Sequence, residues 1–227
     1  TFAFMDPAEA KQWVDEYYSI IKSDQCVPIG HTVTAEICMV TSFSLHQDRE
    51  TAIERGLEGF EFFGYALGSL YGFGEHKPGR TNLYDEFKKA RDRKLESEPV
   101  DSTTRLTGGQ GGIGTPEDML EHLRKFEEVG VDQVTFIQQA GMNRHEHICA
   151  SLELFAEQVM PEFKERQAAQ AKKKDAELAP YIEAALARKN YLQQLKDDDI
   201  PVFPALGRAI AEESKQEKSI MDKESHG

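Results

Sequence analysis

Residues 112–137 read GIGTPEDMLEHLRKFEEVGVDQVTFI, and this stretch decides the fold class. Thr115 is a favourable helix N-cap, Pro116 suits the first helical turn, and the acids that follow complement the positive end of the helix dipole. The helix should end at Gly130, and the apolar run 131–137 after it is typical of a strand. The apolar positions of the predicted helix are Leu120, Leu123 and Phe126. The stretch therefore predicts one helix–strand unit of an α/β protein.

The same alternation extends along most of the chain. Capping residues predict helix starts at Asp6, Asp48 and Asn143, and the run 34–45 has the β-branched, apolar composition of a buried strand. In the first helix the spacing predicts a buried face of Trp13, Tyr17 and Ile20. Strands that alternate with helices pair in parallel, and repeats of roughly 30 residues are typical of a TIM-type (βα)8 barrel.

About four such units are present, so the chain is expected to hold the last half of a barrel, followed by a helical C-terminal tail. Half a barrel leaves two open strand edges, which is an unfavourable arrangement on its own. Because the sequence starts at Thr1 with what resembles the end of a strand, we expect a fragment whose first half is missing.

Two segments depart from the alternation. Residues 66–107 are rich in glycine, aromatic and charged residues, and an insertion of this length is often a lid or binding loop. A short helix is expected within it at 83–93. From residue 167 onward the apolar stripe weakens and charges dominate. We therefore expect a barrel domain over 1–166, with 66–107 as its lid, and a charged, partly helical tail over 167–227.

Composition excludes several classes of function. The 227 residues carry 40 acidic and 27 basic side chains, a net charge of −13, which disfavours nucleic acid and anionic membrane surfaces as partners. Three scattered cysteines indicate reduced thiols in a cytoplasmic protein. His145 and His147 would point about 200° apart on a helix, so they do not predict a shared metal ion.

Two loops next to predicted strands could carry function. Gly109, Gly111 and Gly114 match a dinucleotide-binding spacing, but the polar residues before them do not predict the required strand. In a barrel this loop would face the active site, where phosphates often bind; a hinge with a helix cap is the alternative. The Gln138-Gln139 pair likewise either faces the site or forms a turn that needs Gly141.

Three segments together carry a family resemblance. The first is GIGTPED at 112–118, continuing to GVDQV at 130–134; the second is QAG at 139–141 with His145-Glu146; the third is SLELFAEQVMP at 151–161. In combination they resemble the closing units of the luciferase-like flavin-dependent monooxygenases. The likeness covers about residues 1–166 and does not extend to the tail.

This resemblance implies an enzyme that takes reduced FMN from a separate flavin reductase and uses O2 to oxygenate a small organic substrate, commonly as a homodimer. Some branches of the family use the deazaflavin F420 instead. An F420-dependent oxidoreductase on the same fold and a non-catalytic half-barrel that binds flavin or dimerises are the alternatives.

The resemblance also implies where a site would lie. The usual catalytic histidine of the family belongs to the first half of the barrel, so no catalytic residue is assigned and no metal is expected. Cofactor-binding residues are expected in the loop before the helix, at Gly112, Gly114 and Thr115. Substrate-pocket residues are expected just after the strands, at Phe4, Met5, His46, Gln138 and Gln139.

Overall fold

Capping residues start three of the helices where the sequence places them. Asp6 accepts the backbone N–H of Glu9, and Asp48 accepts that of Thr51. Thr115 opens another helix with a complete capping box. The computed structural model describes residues 2–3, 5–97, 110–138, 140–190 and 194–202. Its α-helices are α1 (Pro7–Lys22), α2 (Arg49–Gly68), α3 (Leu83–Ser97), α4 (Pro116–Glu128), α5 (His145–Gln158) and α6 (Met160–Ala187).

The strands form two small parallel sheets. They are β1 (Phe2–Ala3), β2 (Cys38–Ser42), β3 (Ser44–Leu45), β4 (Ile113–Gly114) and β5 (Gln133–Ile137). β2 lies between β1 and β5, and β3, one residue beyond β2, pairs with β4. The predicted α/β class and parallel pairing are confirmed. Among the described residues the strands remain two short sheets and form no closed barrel.

The three-stranded sheet is covered more completely on one face than on the other. Met39 and Thr41 of β2 are fully buried on the face that the helices cover. On the opposite face, Thr135 is exposed and its hydroxyl lies 3.3 Å from the Sγ atom of the partly buried Cys38. Because successive strand residues point to opposite faces, Ser42 lies on this second face too, and it is fully buried, so the face is open around Cys38 and Thr135 and closed at the end of β2.

Asp132 joins the starts of β2 and β5. Its carboxylate accepts hydrogen bonds from the Ile37 backbone N–H at 2.9 Å and the Tyr18 hydroxyl at 2.5 Å, and pairs with Lys174 of α6 at 2.8 Å. The residue thus links two strands, α1 and α6. Burial and the neighbouring carboxylate raise the pKa of the Tyr18 hydroxyl well above its usual range, so this hydroxyl stays protonated and donates.

Two predicted details were wrong. In α1 the buried residues are Ala10 and Val14, whereas Trp13 is 53% exposed and Ile20 42% exposed. Small side chains let this helix approach the sheet closely, and Tyr17, the third residue of the predicted face, is partly buried and packs against the same core cluster. At α5 the N-cap is Arg144 rather than Asn143, because the Asn143 amide donates instead to the Gln138 carbonyl oxygen at 2.9 Å.

The first part of the 66–107 insertion packs against α2. That helix runs on to Gly68 and continues as a π-helix at Ser69–Phe73. The helix expected at 83–93 is present as α3. Ring contacts at 5.1 to 5.7 Å join α2 to α3 through Phe62, Tyr65, Tyr84 and Phe87. The Tyr84 hydroxyl and the Arg91 guanidinium both donate hydrogen bonds to the Glu58 carboxylate. Residues 98–109 of the insertion lie outside the part of the chain that the structure describes.

The long helix α6 holds the helical layer together. Arg166 pairs with Glu127 of α4 at 2.6 Å, and Arg124 of α4 pairs with Glu162 at 2.5 Å. The helix crosses residue 167 without a break, so the predicted tail begins inside it. Contacts group Thr1–Lys189 into one compact unit and Asn190–Gly227 into a second, whose described residues include a short 3-10 helix at Asp197–Asp199. Residues 203–227 of the predicted tail lie outside the described residues.

Candidate functional site at the carboxyl ends of the strands

Two of the residues expected at the site are in contact. The parallel pairing of β3 with β4 sets Leu45 beside Gly114, and the next backbone N–H, that of His46, donates to the Gly114 carbonyl oxygen at 3.2 Å. The Asp48 backbone N–H donates to His46 Nδ1 at 3.0 Å. Nδ1 also lies 3.3 Å from the Asp48 carbonyl oxygen, so it is engaged with the Asp48 backbone in either tautomer, and Nε2 is the ring nitrogen left for a ligand. The ring is partly buried.

The start of α4 already holds a carboxylate. The Asp118 side chain accepts the Thr115 backbone N–H at 2.9 Å, and the Thr115 hydroxyl accepts the Asp118 backbone N–H at 3.3 Å. Arg49 pairs with the same carboxylate at 2.6 Å. These bonds use the donors that an anion at the helix N-terminus would need. A cofactor phosphate would have to displace Asp118 to bind here.

The glycines of this loop are required by close packing. A Cβ atom on Gly114 would lie 2.5 Å from an Asp118 carboxylate oxygen. One on Gly112 would collide with the Ser42 carbonyl oxygen at the end of β2. Both positions therefore have a steric reason to be glycine, and their role as cofactor ligands remains a prediction.

Gln138 lies just after β5 in a narrow cleft between α2 and α5. Its Oε1 atom is buried and has no hydrogen-bond partner among the described residues. The backbone around it is well fixed, because its carbonyl oxygen accepts from the Ala140 N–H and the Asn143 amide, and Gly141 takes the positive φ of +56° that the turn requires. The predicted turn is thus present, and the Gln138 side chain still faces the cleft.

The other expected pocket residues lie elsewhere. Met5 packs against the core cluster formed by α1, β2 and α4, which includes Val14 and Met39. Phe4 and Gln139 lie outside the described residues. Of the eight expected positions, the structure therefore brings His46 and Gly114 into direct contact, and it places Gln138 in the cleft beside Ser44, the first residue of β3.

Three residues that line this region were not predicted. Ser151 of α5 is buried, and its hydroxyl accepts the Leu45 N–H and donates to the Leu45 carbonyl oxygen, both at 3.0 Å. Arg55 and His147 line the Gln138 cleft. Ser151 had a signal in the sequence, since it is a polar residue on an apolar helical stripe. Arg55 had none, because charged helix residues usually face solvent.

A second buried polar pair lies on the helix-covered face of β2. The Nε2 atom of His122 lies 3.1 Å from the hydroxyl of the fully buried Thr41, and its ring meets Phe126 edge-on at 5.1 Å. Burial, with a smaller contribution from Lys125, lowers the pKa of His122 to about 4. The ring is therefore neutral at pH 7 and acts as a structural hydrogen-bonding group.

A larger cavity lies away from the strand ends. It occupies about 570 Å³ between α4, β5 and α6, with Phe126, Val134 and Phe163 among its walls. Two of its rim carboxylates, Glu127 and Asp132, are already bound in ion pairs. The Gln138 cleft is smaller but presents polar groups without partners, so we place the candidate site there.

No protein-family model matches the chain, and no curated protein is significantly similar to it. The likeness to the luciferase-like monooxygenases therefore rests on the three sequence motifs. The described residues contain no group of three or more metal-ligating side chains, and no described helix is long and apolar enough to cross a membrane.

Proposed function

We propose that this chain is part of a flavin-dependent monooxygenase of the luciferase-like class. The observation that supports the proposal is that His46 and Gln138 each follow the carboxyl end of a parallel strand, with His46 in contact with Gly114 and Gln138 in the cleft that Ser44 also lines. Ligands of parallel α/β proteins bind at this end because the connecting loops converge there. The motifs shared with the family include two of these loops.

The residues at the strand ends suit the ring of a flavin better than its phosphate. His46 can offer Nε2, which donates or accepts according to its tautomer, and the Gln138 amide can donate or accept, which suits the polar edge of a flavin ring. The start of α4 does not suit the flavin phosphate, because the Thr115 N–H already donates to the Asp118 carboxylate and the Asp118 N–H already donates to the Thr115 hydroxyl. Bound reduced flavin would supply the electrons that activate O2. The role of this chain would be to orient the ring and its substrate.

The open sheet face supports a site that needs further strands. Among the described strands, β1 and β5 are the edges of the larger sheet, and Gln133 and Thr135 are exposed on its less covered face. Parallel strands added along these edges would cover that face and enclose the strand ends. A second copy of the chain or additional strands of the same protein could provide them, and a homodimer with a separate flavin reductase is part of the proposal.

Two related functions follow from the same geometry. An F420-dependent oxidoreductase would use the same strand-end residues and would need no O2. A non-catalytic flavin-binding or dimerising half-barrel would use the open sheet face as its interface. The cofactor that binds and the consumption of O2 distinguish these three possibilities.

The test uses the protein as its gene encodes it. Reduced FMN and reduced F420 are titrated anaerobically and binding is followed by absorbance and fluorescence; O2 consumption is then measured with a flavin reductase. His46→Ala should weaken flavin binding about tenfold through loss of one hydrogen bond in a partly buried site. His76→Ala, on the exposed loop between α2 and α3, is the matched control. Absence of binding by either cofactor would refute the proposal.

A further inference from the structure

The cleft around Gln138 has an unusual charge character. None of the described residues that line it is acidic, and its polar walls are Ser44, Arg55, Gln138, Asn143, His147 and Ser151. In a chain with 40 acidic side chains, a polar cleft without a carboxylate is notable. A site with one cation, one imidazole and two amides is complementary to an anion.

Arg55 differs from the other arginines that lie near the strand ends. Arg49 and Arg91 each pair with a carboxylate, on Asp118 and Glu58 respectively. Arg55 is partly buried on α2 and makes no ion pair or hydrogen bond with the described residues. A guanidinium that lines a cleft and has no partner among the described residues keeps its five N–H donors available to a ligand.

The Gln138 side chain adds a second unsatisfied group. Its Oε1 atom is buried and finds no donor in the part of the chain that the structure describes. A 180° turn of the amide exchanges oxygen and nitrogen at that position, and an N–H donor then points into the cleft. This turn breaks no side-chain hydrogen bond within the described residues. Beside Arg55, a ligand that accepts hydrogen bonds would satisfy both groups at once.

We propose that the Arg55 cleft binds the oxyanion group of a small molecule, either a carboxylate or a phosphate. Arg55 would supply the charge and two parallel N–H donors, and Gln138 would donate from the opposite wall. The cleft holds only about 10 Å³, so a single oxygen atom of the anion would enter it while the rest of the ligand stays at its mouth. This inference does not depend on flavin chemistry.

The test measures binding of inorganic phosphate and acetate by 1H–15N NMR at pH 7 and constant ionic strength. Up to about 50 mM of each anion detects dissociation constants in the millimolar range. We expect saturable shifts of the Gln138 and Asn143 side-chain amide signals. The anion with the lower dissociation constant identifies whether the natural group is a phosphate or a carboxylate.

Variants separate a specific site from general attraction. Arg55→Met should weaken binding about tenfold or more, since a charge-assisted pair is lost. Arg80→Met removes the same charge from the exposed α2–α3 loop and should change binding less than about twofold. If Arg55→Met fails to fold, Gln138→Ala and Arg55→Lys provide the same comparison. Absence of saturable shifts, or equal binding by the Arg55 and Arg80 variants, overturns the proposal whatever the flavin titration shows.

Discussion

His122 should make the stability of this protein depend on pH. Burial against Thr41 and Phe126 lowers the pKa of its imidazole to about 4, compared with about 6.5 in an unfolded chain. The folded state therefore favours the neutral ring. This contribution to stability is complete above pH 6.5 and is lost as the pH falls from 6.5 towards 4, because the unfolded state binds the proton first.

The magnitude follows from the two pKa values. Their difference corresponds to about 3 kcal/mol of unfolding free energy, and about 2 kcal/mol of it should be lost between pH 7 and pH 5. Urea unfolding at several pH values measures the loss. Other groups titrate in this range, so the wild type is compared with His122→Gln, which can still hydrogen-bond to Thr41 but does not titrate.

Two results would refute this reasoning. One is a pKa for His122 at or above its ordinary value, measured directly from its imidazole NMR signals. The other is an equal loss of stability between pH 7 and pH 5 in the wild type and in His122→Gln. Either result would mean that the imidazole is hydrated in the folded protein.

Three further substitutions test the packing around the site by urea unfolding. Ser151→Ala should lower the free energy of unfolding by about 2 kcal/mol, because a buried backbone N–H of β3 loses its acceptor. Ser19→Ala, on the exposed face of α1, should change it by less than about 0.5 kcal/mol. Thr115→Ala should cost about 1 kcal/mol by removing the helix cap, and no loss would argue against the capping box. Gly56→Ala should destabilise the protein by about 1–2 kcal/mol, because its Cβ atom would collide with β3. Gly64→Ala, on the same helix, has open space around it and should stabilise the protein by up to about 1 kcal/mol. Equal effects of the two substitutions would contradict this packing.

Local signals predicted the helix starts and the class of fold. A cap such as Asp48 or Thr115 bonds to a backbone group three residues away, so the residues that decide a helix start are adjacent in sequence. The alternation of helices with apolar runs is also visible along the sequence, and it predicted that the strands pair in parallel. The two short sheets could not be predicted in this detail, because strand length depends on which neighbours each strand finds.

The candidate site was only partly predictable. Strand ends are visible in the sequence, and so His46, Gly114 and Gln138 could be placed near one edge. The contacts of Ser151 with Leu45 and of His122 with Thr41 join residues 106 and 81 positions apart, and no local pattern reports them. That Arg55 makes no ion pair with the described residues is likewise a property of the packed structure.

The sequence by itself determined where helices begin, that strands alternate with them, and that the chain is strongly acidic. Each of these depends on neighbouring residues or on composition. The tertiary structure alone decided that Trp13 of α1 is exposed and that the Asp118 side chain accepts a hydrogen bond from Thr115 at the start of α4. It also decided that Arg55 lines the Gln138 cleft without an ion pair or hydrogen bond among the described residues. Burial and pairing depend on distances through space between distant segments, and those distances exist only once the chain has packed.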